Sequence, residues 1–367
     1  MNWLSKLKIT RLDRYIIGKF LGTYFFAIAL IIAIIVIFDY NENIDKFATS
    51  NVTFKAIVFD YYLNLVPYLA NTFSALFVFI SVIYFTSKLA ETSEIIAMFA
   101  AGVSFKRLLR PYLISAGIIA IMTYILSAYV IPIGNKTRME FEDQYKRKKI
   151  VESARNIQLQ VNDSTVAYFE RYDNRTLTGY RFSLDKFINK KLVSHMTART
   201  LTYHPNERHK WTAKNWMIRE LSDDKEIIRS NVREPLDTII KIEPGDFLIS
   251  KGQQETMTSP QLSEYIDKQK ARGMANIKPF EIEYHKRIAM SFAAFILTVI
   301  GASLSSKKTK GGMGLSLGIG LGLSFSYILF QAISSAFAEQ MPVYVAVWIP
   351  NILYSFIAIY LYRKAPK

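Results

Sequence analysis

The stretch ETSEIIAMFAAGVSFKRL (91–108) sets two carboxylates, Glu91 and Glu94, in a run crowded with Ala and Gly. A carboxylate next to a second acid or a histidine can move protons; one that stands apart recognises a cation. No second group of that kind is found in the long apolar segments, and Asp60 stands just before the second of them. The phosphate-cradling pattern G-x-x-x-x-G-K-[ST] is absent. The chain has no cysteine and four scattered histidines, so thiol nucleophiles, disulfides and metal clusters drop out. No catalytic residue, metal ligand or cofactor is therefore assigned. The chemistry left to this chain is recognition.

Three further sets could take part in recognition. Lys136 and Arg138 follow the third apolar run; such cations either meet a phosphorylated lipid head group or snorkel to the membrane interface. Asn64, Pro67, Asn71 and Ser74 recur at helical spacing, on one face of the second run. Polar groups do not face hydrocarbon unsatisfied, so this stripe meets either another helix or the wall of a wet substrate cavity. Gly314, Gly318 and Gly322 recur every four residues, a small-residue stripe that lets a helix of this chain or another approach closely.

The elements that must position these residues follow from composition. Of 367 residues, 51% are hydrophobic and 21% charged, and the two classes sit apart. Residues 16–38, 61–85, 109–131, 288–304, 313–333 and 343–362 are each near the roughly 20 apolar residues a bilayer-crossing helix needs. The first run is too long for a signal-peptide core and lacks an A-x-A site, so it reads as a retained span. Basic residues gather at alternate ends: Lys6, Lys8, Arg11, Arg14 and Lys19; Lys88, Lys106, Arg107 and Arg110; Lys307, Lys308 and Lys310; Arg363, Lys364 and Lys367. By the positive-inside rule both termini are cytoplasmic, and the net charge of +16 needs no nucleic-acid partner.

The insert 132–287 then lies outside. TVAYFERY, TGYRFSL, KLVSHMTARTLTYH and WTAKNWMIREL read as strands punctuated by VNDS, YDNRT, HPNE and LSDD, which suggests a sandwich or jelly roll. TSPQLSEYIDKQKARG reads as a helix capped at Thr258 or Ser259 and ended by Gly273, with Leu262, Tyr265, Ile266 and Gln269 on one face. That face lies on the membrane surface or on the β domain. The fold class is thus an α+β membrane protein: six transmembrane helices with a periplasmic β-jellyroll-like domain between spans three and four. The expected parts are a first membrane half (1–131), the β domain (132–258), an amphipathic connecting helix (259–287) and a second membrane half (288–367). A short cytoplasmic helix, about 90–101, ends at Gly102, and Ser104 caps the next span. Ile95, Met98, Phe99 and Gly102 have the spacing of a buried face; Glu94, Ala97 and Ala101 form a second stripe.

LDRYIIGKF (12–20), SEIIAMFAAGVS (93–104), GG-x-G (311–314), WIPN (348–351), Val66–Pro67 and TSPQLSEYI occur in family order. Together they resemble the lipopolysaccharide-export permease family of the LptF/LptG type, with LDRY more like the G-type member. The resemblance covers nearly the whole chain. It implies a non-catalytic ABC-transporter permease of the bacterial inner membrane, with a sister F-type permease, a cytoplasmic LptB-type ATPase dimer and a periplasmic bridge component. Lipopolysaccharide is the implied substrate. It implies that the helix after span two docks in the ATPase, through Glu94 with Met98, Ala101 and Gly102; Glu91 and Ala97 join that coupling set. Asn64, Asn71, Lys136 and Arg138 are the candidate lipid contacts. The sequence departs from the family at Asp39, where G-type chains carry a lysine, at Met139, and at Met290–Ser291, where a proline is usual. The competing reading is a membrane-anchored periplasmic receptor or assembly scaffold without transport activity.

Overall fold

The computed structural model describes residues 9–49, 52–146, 153–222, 225–246, 252–271, 277–307 and 312–365. Lys6, Lys8, Gly273, Lys308, Lys310, Gly311, Lys367 and the end of the LSDD turn lie outside them. Six helical segments among these residues are long and apolar enough to cross a membrane. The contacts divide the chain into two units, one containing the membrane helices and the other the strands.

In the membrane unit, α1 (Arg11–Thr49) is one continuous helix. Its buried apolar residues, Ile16, Phe20, Tyr24, Ile28 and Ile32, recur every four positions. A ridge of that spacing packs against neighbours, and the remaining apolar side chains are outward, as a lipid-facing helix requires. The second span is broken. α2 (Phe54–Ala56) passes through a π-helical stretch, Ile57–Tyr62, into α3 (Leu63–Thr72), which contains Pro67. A break at Phe73 precedes α4 (Ser74–Glu91). After the short α5 (Glu94–Ala100), the third span runs through α6 (Phe105–Ile125) and α7 (Ile131–Phe141) to a last turn at Lys146. Helix therefore continues past residue 131, and strands begin only at Ser153. α9 (Lys278–Ser305), α10 (Gly312–Ala336) and α11 (Val343–Lys364) complete the unit. α4 is central: α1 and α10 both pack on it.

The β unit is one antiparallel sheet. Its strands are β1 (Ser153–Asn162), β2 (Thr165–Asp173), β3 (Thr178–Ile188), β4 (Lys191–Tyr203), β5 (Lys210–Ser222), β6 (Lys225–Asn231) and β7 (Leu236–Ile239). They pair in sequence order as a meander, except that β6 and β7 share one edge of β5. The register shifts, in the manner of bulges, between Gln160 and Asn162 of β1 and between Lys186 and Phe187 of β3. The core gathers Trp211, Phe169, Phe182 and Tyr172, all essentially buried, and Trp211 Nε1 donates to the Ile242 carbonyl at 3.1 Å. Trp211 is thus a core residue. α8 (Ser259–Ala271) buries Leu262, Ile266 and Gln269, and residues 260–280 cluster with the sheet.

Candidate functional site

The Glu91–Leu108 stretch forms a hairpin between α4 and α6. The expected single helix over 90–101 is instead divided: α4 runs on to Glu91, Thr92 and Ser93 turn, and α5 restarts at Glu94. Ser93 makes the turn at φ 60°, a left-handed conformation unusual for a residue with a Cβ. The far end of α5 follows the sequence expectation closely. Gly102 sits at φ +82°, Val103 N–H bonds the Met98 carbonyl and Gly102 N–H the Phe99 carbonyl, the two bonds of a Schellman cap. Ser104 Oγ accepts the Arg107 N–H and caps α6.

Two faces of α5 separate. Ile95 is fully buried, and Met98 and Phe99 pack on the core formed by α1, α4 and α6. Ala97, Ala100, Ala101 and Gly102 are exposed, with Ile96 at 48% exposure beside them. Met98 therefore faces inward, away from the other docking candidates. Ile96 was missed, because the periodic pattern assigned it to neither stripe. The Glu94 carboxylate accepts Thr92 Oγ1–H at 3.0 Å and Tyr15 O–H at 3.3 Å. Glu91 does something different from Glu94: it accepts the Met313 N–H of α10 at 3.0 Å.

LDRY gains a physical role here. Thr10 and Asp13 form a capping box on α1, with Thr10 N–H and hydroxyl both donating to Asp13 Oδ2 at 2.9 Å. The buried Asp13 also receives Arg107, Nη2 to Oδ2 at 2.8 Å, and Arg107 Nη2 reaches Thr10 Oγ1 at 3.0 Å. Asp13 and Arg107 stand far apart in sequence, so no local pattern announces the pair.

At the opposite ends of the spans lies a polar cavity of about 110 Å³. Tyr68, Asn71, Ser74, Asn135, Glu255, Glu283, Lys286 and Arg287 contribute to its walls, and it is large enough to admit several waters. Met290 and Ser291 line it as well. Arg287 is 4% exposed and donates to Glu283 at 2.9 Å and to Ser259 Oγ at 3.1 Å. Arg138 bonds Glu142 at 3.1 Å and Asn135 at 3.2 Å, and lies over the Tyr68 ring. Burial first, and the negative charge of Glu283 second, push the Glu255 carboxyl above its ordinary range.

The candidate lipid contacts do not converge. Lys136 is exposed, whereas Arg138, two residues on and across the helix, turns inward. Asn71 faces the cavity, its Oδ1 without a hydrogen-bond partner among the described residues. Asn64 instead bonds the Phe59 and Asp60 carbonyls and packs against Gly134 of α7. Ser74 bonds Tyr24 at 2.6 Å. Asp39 accepts the hydroxyls of Tyr61 and Tyr62.

The glycine stripe resolves in an unexpected way. Added Cβ atoms at Gly314, Gly318 and Gly322 would meet nothing within 4 Å. The close approach within this chain is made by Gly320, where a Cβ would lie 2.1 Å from Ile83, and by Gly301 against Val82. The spacing identified a face; the position of α4 decides which face is used. Beside it, α1, α4 and α10 enclose an apolar groove of about 810 Å³, lined by Gly22, Phe26, Leu30, Phe77, Leu321 and Phe325 among others.

A family model described as lipopolysaccharide export system permease LptF/LptG matches residues 14–364. Comparison with individually curated proteins gives no match.

Proposed function

Because this chain belongs to the LptF/LptG family of lipopolysaccharide export permeases, we propose that it is the non-catalytic membrane subunit of an ABC transporter, driven by a separate cytoplasmic ATPase dimer. In this reading it pairs with a sister permease, takes lipopolysaccharide from the inner membrane and passes it to a periplasmic bridge component. Both termini and the α5 hairpin face the cytoplasm, and the sheet faces the periplasm. In this reading the first membrane half runs on to Lys146, and the β domain, the connecting helix and the second half follow it. LDRY favours the G-type role.

One observation carries the proposal. α5 exposes Ala97, Ala100, Ala101 and Gly102 around Ile96, with Glu94 at its start. A smooth, small-residue surface edged by one carboxylate suits a groove with a cationic wall. The open glycine face of α10 suits the sister permease, and the apolar groove suits acyl chains. ATP binding moves the spans only if the ATPase states bind two permease conformations with different free energies.

Reversing the charge in Glu94→Lys tests the docking role. A lost close charge pair costs a few kcal/mol, so ATPase association should weaken by roughly tenfold or more. In proteoliposomes, lipopolysaccharide release should fall with it. Unchanged association together with unchanged release sinks the role.

A further inference from the structure

The hairpin bearing Glu94 is chained to α4 and α6, yet its side chains grip two other helices. Glu91, the last residue of α4, accepts the Met313 N–H at 3.0 Å. Met313 stands in the first turn of α10, where backbone N–H groups have no intrahelical acceptor. Across the hairpin, Arg107 in the first turn of α6 holds Asp13 and Thr10 at the start of α1. Tyr15 adds a further bond from α1, to Glu94 itself. α1 and α10 are also the two helices that, with α4, wall the apolar groove.

The packing of α10 makes such a grip consequential. Gly320 presses on Ile83 and Phe79 of α4, which fixes one point of α10. Met313 lies seven residues before that point, about 10 Å along the axis at 1.5 Å per residue. Leu321 and Phe325, which line the groove, lie just beyond it. A helix held at one point and drawn at its end tilts as a rod.

We propose that Glu91 and Arg107 are positioning residues that convert displacement of α5 into tilting of α10 and α1, and so change the width of the groove. This rests on the transport reading above. Glu91 acts through its bond to α10. The carboxylate-to-N–H bond is exposed, so it re-forms readily as the helices move.

The chain has no cysteine, so labels go only where they are introduced. Phe25→Cys on α1 and Leu329→Cys on α10 are exposed and outside the groove lining. Their spin-label distance is measured in nanodiscs, on the complex purified with its ATPase, with and without ATP and vanadate. The parent should show a shift of several ångströms on adding nucleotide. Met313→Pro removes the donor at a helix position that tolerates proline; it should abolish most of that shift while the ATPase still co-purifies. Glu91→Ala should lose the shift in the same way, Glu91→Gln, which keeps an acceptor oxygen, should restore it, and the Glu91→Ala, Met313→Pro double variant should add nothing. A full shift in Glu91→Ala overturns the inference and leaves the transport reading standing. A parent that brings down no ATPase, or shows no shift, overturns both.

Discussion

The two ends of the membrane helices handle charge in opposite ways. At the hairpin end, Glu91 and Glu94 are held near the surface by single bonds to a backbone N–H and to hydroxyls. At the far end, Arg287, Glu283, Glu255, Arg138 and Glu142 form a partly buried network around a small polar cavity. Surface contacts of the first kind contribute about 0–1 kcal/mol and can be exchanged as helices move. Buried contacts of the second kind are costly to break from one side, because the partner left behind stays charged. Bonds at the hairpin end can therefore be exchanged at little cost, and those at the far end cannot. Asp13 is the exception at the hairpin end: its buried pair with Arg107 ties the start of α1 to the start of α6.

The largest effect should come from breaking the far end. Arg287→Ala leaves Glu283 without its partner and frees Ser259, which ties the chain segment 255–259 to α9. Removing one member of a buried pair costs about 3–5 kcal/mol. The purified variant should unfold well below the parent in a thermal melt, and Arg287→Met combined with Glu283→Gln should recover most of the loss. A melt indistinguishable from the parent would show that this end does not hold the helices.

A smaller effect sharpens the comparison through pH. The Glu255 carboxyl is raised by burial and then by Glu283, against the opposing pull of Lys286, Arg138 and Arg287. A carboxyl raised in the fold adds stability at low pH and loses it as pH rises through the raised value. At neutral pH the carboxyl therefore stabilises the fold less than a neutral side chain of the same shape would. Glu255→Gln should melt above the parent at about pH 7.5, and the gap should close near pH 4.5, where free glutamate is half protonated. A gap of equal size at both pH values would assign the effect to packing.

The sequence disclosed these two ends unequally. Six spans were legible because each apolar run is long and its flanks are basic on one side. β2 to β5 were legible from Val, Tyr, Phe, Thr and Trp between turn residues. β1 and β6 were passed over: in β1 Ile157, Leu159 and Val161 do alternate with Gln158 and Gln160, but over only five residues next to the polar SARN, while Ile227 and Ile228 of β6 are adjacent and both exposed, so β6 carries no alternation. Gly102 and Ser104 were legible as caps because capping depends on residue type. The turn at Ser93 was hidden, since a left-handed residue announces itself only when it is glycine or asparagine. Asp13–Arg107, Glu91–Met313 and the Gly320 contact join residues far apart in the chain, and spacing carries no information about them.

The smallest predicted effect returns to the hairpin end and asks whether its turn is strained. Ser93, at φ 60° and ψ 11°, holds α4 and α5 at their angle. The left-handed conformation costs a residue with a Cβ about 1–2 kcal/mol, whereas glycine adopts it freely but loses about 0.5–1 kcal/mol of chain entropy on folding. Ser93→Gly should therefore stabilise the chain by about 0.5–1 kcal/mol, read as a small rise in the unfolding midpoint. The same variant should loosen the angle between the two helices, because glycine accepts many conformations where Ser93 holds one. If the hairpin transmits force, coupling of hydrolysis to lipid release should fall even as stability rises. A variant that gains stability with coupling intact would mean that the bonds of Glu91 and Arg107, and not the stiffness of the turn, carry the motion.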